Sequence, residues 1–181
     1  MSSSHFIYTS TYEVISFSII VFILFRRNYK FNDFDFEFSF KLLGVAIILF
    51  LIVKYTYGSI FLILKHFIKA DSMNYLKFKY SAGTVSVISV LVINSFYEEF
   101  LLNGYLFKIL ANYKSKFIIL LSVGLRMSYH TYQGWIGLVS VLVIGIVFSL
   151  YYLKYAKLWP IIIAHGLINL SSIYAYAHMN N

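Results

Sequence analysis

The stretch NSFYEEFLLNGYLF, Asn94 to Phe107, places two adjacent glutamates, Glu98 and Glu99, inside an apolar run. The composition of the whole chain shows what surrounds that run. Of the 181 residues, 60% are hydrophobic and 12% are charged, and the mean hydropathy is +0.76. A chain of this composition cannot cover a water-facing surface, so we expect an integral membrane protein. A charge near the bilayer centre costs roughly 2.5 to 3.5 kcal/mol on insertion scales, so the glutamate pair requires an explanation.

The apolar segments predict an all-α, polytopic integral membrane bundle with about six transmembrane helices. The second segment contains Lys54 and is interpreted as one tilted helix. Residues 28–41, which include the alternating stretch FNDFDFEF, are interpreted as a loop or an interfacial segment. On this division, residues 1–80 hold N-terminal helices and loops, and residues 81–181 hold the polar motifs. The six apolar segments lie at about 14–25, 42–64, 81–110, 117–129, 135–153 and 158–176.

The basic residues predict the partners and the orientation. The net charge is +8, but Lys and Arg lie beside apolar segments, where they orient helices and contact anionic lipid. We therefore expect a lipid bilayer, and no nucleic acid, as the partner of these charges. Counted together with the ends of the adjoining apolar segments, the first, third and fifth loops hold nine Lys or Arg residues and the second and fourth hold five, which predicts both termini outside. The frequent use of Ile, Phe, Tyr, Lys and Asn suggests an AT-rich genome and hence a bacterium, so we expect the chain in a bacterial cell membrane.

Polar residues at helical spacing occur in three of the apolar segments. Because residues four apart lie on one face of a helix, each pair forms a polar stripe, and such stripes can converge on one cavity in a bundle. Two adjacent carboxylates repel, so at least one should be protonated, hydrogen-bonded or paired with a cation. A buried ion pair or a snorkelling helix end is the structural alternative. The three pairs are Glu99 and Asn103, Arg126 and His130, and His165 and Asn169.

Three segments of the chain, EEFLLNGYLF (98–107), RMSYHTYQG (126–134) and LWPIIIAHGLIN (158–169), resemble known motifs. They are similar to those of the CAAX protease and bacteriocin-processing family of intramembrane endopeptidases, also called the Abi family. Its pattern is Glu-Glu-x-x-x-Arg-Gly, then Phe-x-x-x-His with a later Gly, then His-x-x-x-Asn or Asp. Two positions differ: Asn103 stands where the family has Arg, and Arg126 stands where it has Phe.

The resemblance implies a role for each polar residue. Glu98 with His130 would activate a water molecule. His165 with Asn169 would stabilise the oxyanion formed when that water attacks a peptide carbonyl. Glu99 would support the site through a neighbouring cation, with Asn103 beside it. Because one Arg is lost at 103 and another appears at 126, we hypothesise that Arg126 replaces the missing partner of Glu99 from a neighbouring helix.

The expected function is therefore that of an intramembrane endopeptidase acting without a cofactor on membrane-associated or secreted peptides or proteins, with residues 81–181 as the peptidase core. A zinc peptidase is an alternative, because Glu98, His130 and His165 would suffice as three ligands. A catalytically inactive membrane immunity or interaction protein on the same scaffold is the other alternative. The chain contains no cysteine, which excludes disulfides, thiol nucleophiles and thiolate metal sites.

Overall fold

The structure is a computed structural model that describes residues 3–30, 34, 38–67 and 84–179. Every regular element within those ranges is helical. A π-helical segment, Phe100–Tyr105, joins α3 to α4 without a break, and a 3-10 turn, Thr131–Gln133, leads into α6. The described residues thus form six helical segments, and the predicted all-α bundle is confirmed. The helices are α1 Ser3–Arg26, α2 Phe40–Phe67, α3 Thr84–Glu99, α4 Leu106–Ile109, α5 Ser115–Tyr129, α6 Gly134–Tyr155 and α7 Leu158–Met179.

Three of the described helices are long and apolar enough to cross a membrane. They comprise Phe40–Phe67, Thr131–Tyr155 and Leu158–Ala175, with mean hydropathies of 2.2, 2.4 and 1.4. Helix α1 adds a shorter apolar section, Val14–Arg26. Since about 20 apolar residues span the hydrocarbon core, these helices identify an integral membrane protein. Helices α3 and α5 are shorter, at 16 and 15 residues, and they carry the polar motifs.

The second apolar segment forms one continuous helix, α2, as its sequence predicts. Lys54, near the middle of α2, is exposed, and its Nζ donates a hydrogen bond to Ser171 Oγ on α7 at 3.4 Å. Of the alternating stretch FNDFDFEF, the structure describes Phe34 and Phe38. Phe34 is buried and its ring contacts that of Phe100, with the centroids 5.1 Å apart. The remaining residues of that stretch, and the basic loop at 68–83, lie outside the described residues.

The helices pack so that the π segment lies at the centre of the bundle. Helix α2 packs along α7, α1 packs along α3, and α5 packs along α6, while the π segment contacts α5, α6 and α7. Phe100 begins the π segment and is fully buried, with Phe17 and Phe96 against its ring. Aromatic pairs of this kind contribute about 0.5 to 1.5 kcal/mol beyond the area they bury. An apolar wall therefore lies directly beside the two glutamates.

The structure explains why two motif positions are glycine and a third is proline. A Cβ on Gly104 would lie 3.2 Å from Leu158 Cδ1, so glycine allows the start of α7 to approach the π segment closely. Gly134 has φ +70° where the 3-10 turn passes into α6, a conformation that favours glycine. Pro160 lies in the first turn of α7, where its missing N–H leaves no helical hydrogen bond unmade. Gly134 and Pro160 thus lie where α6 and α7 begin, and Gly104 lies where α7 approaches the π segment.

Candidate active site

The glutamate pair lies where α3 widens into the π segment. Glu99 is the last residue of α3 and is fully buried, and Glu98 is 4% exposed. Asn103, inside the π segment, is also fully buried. A π-helical turn is rare, and such turns within α-helices are frequently found at functional sites. The low exposure of Glu98 and Glu99 shows that both carboxylates lie inside the bundle rather than on its surface.

Glu99 forms a two-point ion pair with Arg126 of α5. Arg126 Nη1 lies 2.8 Å from Glu99 Oε1, and Nη2 donates to Oε2 at 2.9 Å. Arg126 is only 1% exposed. Paired contacts between a guanidinium and a carboxylate fix geometry as well as charge. The predicted approach of Arg126 to the glutamate pair is confirmed, and Glu99 is its partner.

Two further donors reach Glu99, one from the adjoining π segment and one from α7. Asn103 Nδ2 donates to Oε2 and His165 Nδ1 donates to Oε1, each at 2.6 Å. Behind Asn103, Ser149 Oγ of α6 donates to Asn103 Oδ1 at 2.9 Å and lies 3.5 Å from Ser122 Oγ of α5. Each oxygen of Glu99 therefore has two partners. Ser122 and Ser149 were not predicted from the sequence, because their only signal is a hydroxyl within an apolar helix.

Glu98 has a different environment from Glu99. Its Oε1 accepts a hydrogen bond from Asn94 Nδ2 at 3.0 Å. His130 Nε2 lies 3.9 Å from the same oxygen, which is beyond hydrogen-bond range. Glu98 Oε2 is buried and accepts no hydrogen bond from the described residues. A buried polar atom without a partner is uncommon and requires an explanation, such as a bound water molecule or a catalytic role. Asn94 was not predicted from the sequence, although it lies four residues before Glu98.

His130 follows α5 and faces Glu98 through a defined ring nitrogen. Its Nδ1 lies 2.9 Å from the Arg126 carbonyl oxygen. Because a carbonyl oxygen only accepts hydrogen bonds, Nδ1 carries the proton and Nε2 is the nitrogen that faces Glu98. The Tyr129 ring lies against the imidazole, with the centroids 4.6 Å apart. Arg126 thus contributes to the surroundings of both glutamates. Its side chain pairs with Glu99, and its carbonyl oxygen accepts a hydrogen bond from His130, which faces Glu98.

The third motif contributes one residue to these contacts. His165 is 4% exposed and is bound to Glu99 rather than to Glu98. Asn169 lies one turn later on α7, and its side chain forms no hydrogen bond with any described residue. Of the three residues considered as zinc ligands, His130 faces Glu98, whereas His165 is bound to Glu99. Among the described residues, no three His, Asp or Glu side chains are grouped as metal ligands.

The comparisons with known proteins identify the family. A family model, the type II CAAX prenyl endopeptidase Rce1-like family, matches residues 80–171, just over half of the 181 residues. The match contains all three motifs. No curated protein and no solved structure matches the chain. The chain belongs to the Rce1-like family of CAAX endopeptidases, so the motif resemblance is confirmed, and membership implies a membrane-embedded peptidase.

Proposed function

We propose that the chain hydrolyses peptide bonds of membrane-associated or secreted peptides with a water molecule activated by Glu98 and His130. The observation that supports this is the short distance between two hydrogen-bond acceptors, each of which can accept a further hydrogen bond. Glu98 Oε1 and His130 Nε2 lie 3.9 Å apart, and Glu98 Oε2 accepts no hydrogen bond from the described residues. Two acceptors at this separation can each accept a proton of the same water at about 2.8 Å. The water oxygen is then free to attack.

The proposed reaction is a general-base hydrolysis. As the water oxygen bonds to the peptide carbonyl carbon, one water proton passes to the Glu98 carboxylate, and the carbonyl oxygen becomes an oxyanion. When the C–N bond breaks, that proton passes to the leaving amine, which restores the carboxylate. Positioned proton transfer of this kind contributes about 10²- to 10⁴-fold to rate.

His165 and Asn169 are the proposed donors to the oxyanion. His165 Nδ1 donates to Glu99, so the remaining nitrogen, Nε2, can donate only when both ring nitrogens carry protons. Glu99 is the counter-charge for that form, and Arg126 holds Glu99 in place. The Asn169 amide forms no hydrogen bond within the described chain and can supply the second donor. A donor held in place before the reaction, as His165 is by Glu99, stabilises a developing oxyanion without reorganisation.

The proposal includes an orientation and a core. Residues 81–181 form the peptidase core, and both termini lie outside a bacterial cell membrane, as the distribution of Lys and Arg favours. Reporter fusions after Arg27 and after Lys116 should therefore be cytoplasmic, and a fusion after Asn181 should not. A cytoplasmic fusion after Asn181 would contradict this orientation and leave the proposed chemistry untouched.

A cleavage assay on purified protein tests the function. The full chain in detergent is incubated with quenched fluorescent peptides, one prenylated with a CAAX-type C-terminus and others unprenylated and membrane-proximal. We expect cleavage of at least one peptide, a loss of about 10²- to 10⁴-fold in Glu98→Gln, and no loss in the matched exposed variant Ser128→Ala. Activity that survives Glu98→Gln would contradict the proposal. Activity abolished by a chelator and restored by zinc would instead favour a zinc peptidase.

A further inference from the structure

We infer that Asn94 is a positioning residue that fixes the Glu98 carboxylate in its reactive orientation. The inference rests on the proposed function, because orientation of Glu98 affects rate only if Glu98 accepts a proton from water. Asn94 lies one helical turn before Glu98 on α3, so the two side chains share a face of that helix. Neither the motifs nor the family pattern in this sequence includes position 94.

The contact distinguishes the two oxygens of Glu98. A carboxylate rotates broadly about its last torsion, which makes the two oxygens equivalent unless a donor holds one of them. Asn94 Nδ2 donates to Oε1 at 3.0 Å, and the same oxygen lies 3.9 Å from His130 Nε2. Oε2 is buried and accepts no hydrogen bond from the described residues. The amide therefore holds Oε1 on the histidine side and leaves Oε2 unengaged.

An amide suits this position better than a cation does. Glu99 shows the contrast, because it accepts a hydrogen bond from Asn103 and also pairs with Arg126. A cation stabilises the ionised form of a carboxylate strongly and weakens it as a base, whereas a neutral amide orients it with a smaller effect on its charge. The Asn94 contact thus positions Glu98 without removing its capacity to accept a proton.

The test separates positioning from structural support by measuring kcat and KM in detergent for three variants. Asn94→Leu keeps the approximate volume and removes the amide, Asn94→Asp keeps the shape and removes the donor when it is ionised, and Asn94→Gln keeps an amide. We expect kcat to fall about 10-fold or more in the first two, since each tenfold corresponds to about 1.4 kcal/mol of barrier, with KM within about twofold of wild type. The fall in kcat should be smaller in Asn94→Gln than in the other two variants.

Ser95→Ala is the matched control, because Ser95 is buried on the same helix and its Oγ donates to the Leu91 carbonyl rather than to a glutamate. Its kcat should equal that of wild type. If the Asn94 variants keep the kcat of wild type, or change KM alone, the positioning role is wrong while the proposed function stands. If the wild-type chain cleaves no peptide, or Glu98→Gln cleaves as wild type does, the proposed function fails and the positioning role fails with it.

Discussion

Glu98 and Glu99 are neighbours in sequence and opposites in environment. Glu99 is fully buried and receives Arg126, Asn103 and His165 on its two oxygens. Glu98 is almost as deeply buried. It accepts a hydrogen bond from the Asn94 amide and interacts with the Tyr129 hydroxyl, while its Oε2 accepts no hydrogen bond from the described residues. Buried carboxylates are normally satisfied, and an unsatisfied one is costly. The difference supports the proposed division of roles, in which Glu99 organises the bundle and Glu98 accepts the proton.

Arg126 connects the two sides of this comparison. It pairs with Glu99 through its side chain, and its carbonyl accepts the hydrogen bond that orients His130 toward Glu98. Asn103, where the family has Arg, is short enough to contact both Glu99 and Ser149. The two departures from the motif are thus complementary in space, since the guanidinium reaches the same carboxylate from the neighbouring helix.

The largest expected effect is that of Arg126→Phe, which restores the family residue at one position only. Removing one partner of a buried ion pair typically costs about 3 to 5 kcal/mol, because the other charge remains buried without compensation. Thermal or denaturant unfolding in detergent should show a loss of this size. Arg126→Phe combined with Asn103→Arg should recover stability and cleavage. A single variant as stable as wild type would show that Arg126 does not compensate for the missing motif arginine.

A smaller effect is expected from Asn103→Leu, which removes a donor from Glu99 and an acceptor from Ser149. We expect a loss of about 1 to 3 kcal/mol, because buried polar groups lose their partners while the ion pair with Arg126 remains. Unfolding in detergent measures the change. A loss as large as that of Arg126→Phe would show that the amide, and not the guanidinium, is the main support of Glu99.

The smallest effect is expected from Ser149→Ala, at the far end of the same network. Its hydroxyl donates one hydrogen bond to Asn103, and losing such a bond costs about 0.5 to 1.5 kcal/mol. Ser172→Ala is the matched control on α7, because Ser172 is exposed and its hydroxyl donates to the Ile168 carbonyl rather than to a residue of the site. Its stability should stay within about 0.5 kcal/mol of wild type. If both variants lose the same free energy of unfolding, Ser149 does not contribute to the support of Glu99.

Much of the fold follows from the sequence, because apolar runs of membrane-spanning length allow few structures other than helices. The single helix at 42–64 and the three polar stripes are examples. The pairing of Arg126 with Glu99 was also predictable, since it follows from charge balance between two motif positions. The hydrogen bond between His165 and Glu99 was not predictable. The i to i+4 spacing places a residue on one face of its helix but does not specify which residue of a neighbouring helix it contacts.

The hydrogen-bond partners that the sequence did not reveal are small neutral residues. Asn94 and Ser149 lie in helices that also contain other Asn or Ser residues, and their composition carries no signal of a specific contact. Their importance comes from tertiary packing, which brings α6 against the π segment and fixes the direction of each side chain. The π segment itself was likewise hidden, because its sequence is that of an ordinary apolar helix.

The most direct test of the division between the two glutamates is a comparison of the unfolding free energies of Glu98→Gln and Glu99→Gln in the same detergent. Glu99→Gln leaves Arg126 buried without its counter-charge and should lose about 3 to 5 kcal/mol. Glu98→Gln removes an incompletely satisfied carboxylate and keeps an acceptor for Asn94, so its stability should equal or exceed that of wild type. Equal losses in the two variants, or a larger loss in Glu98→Gln, would contradict the account.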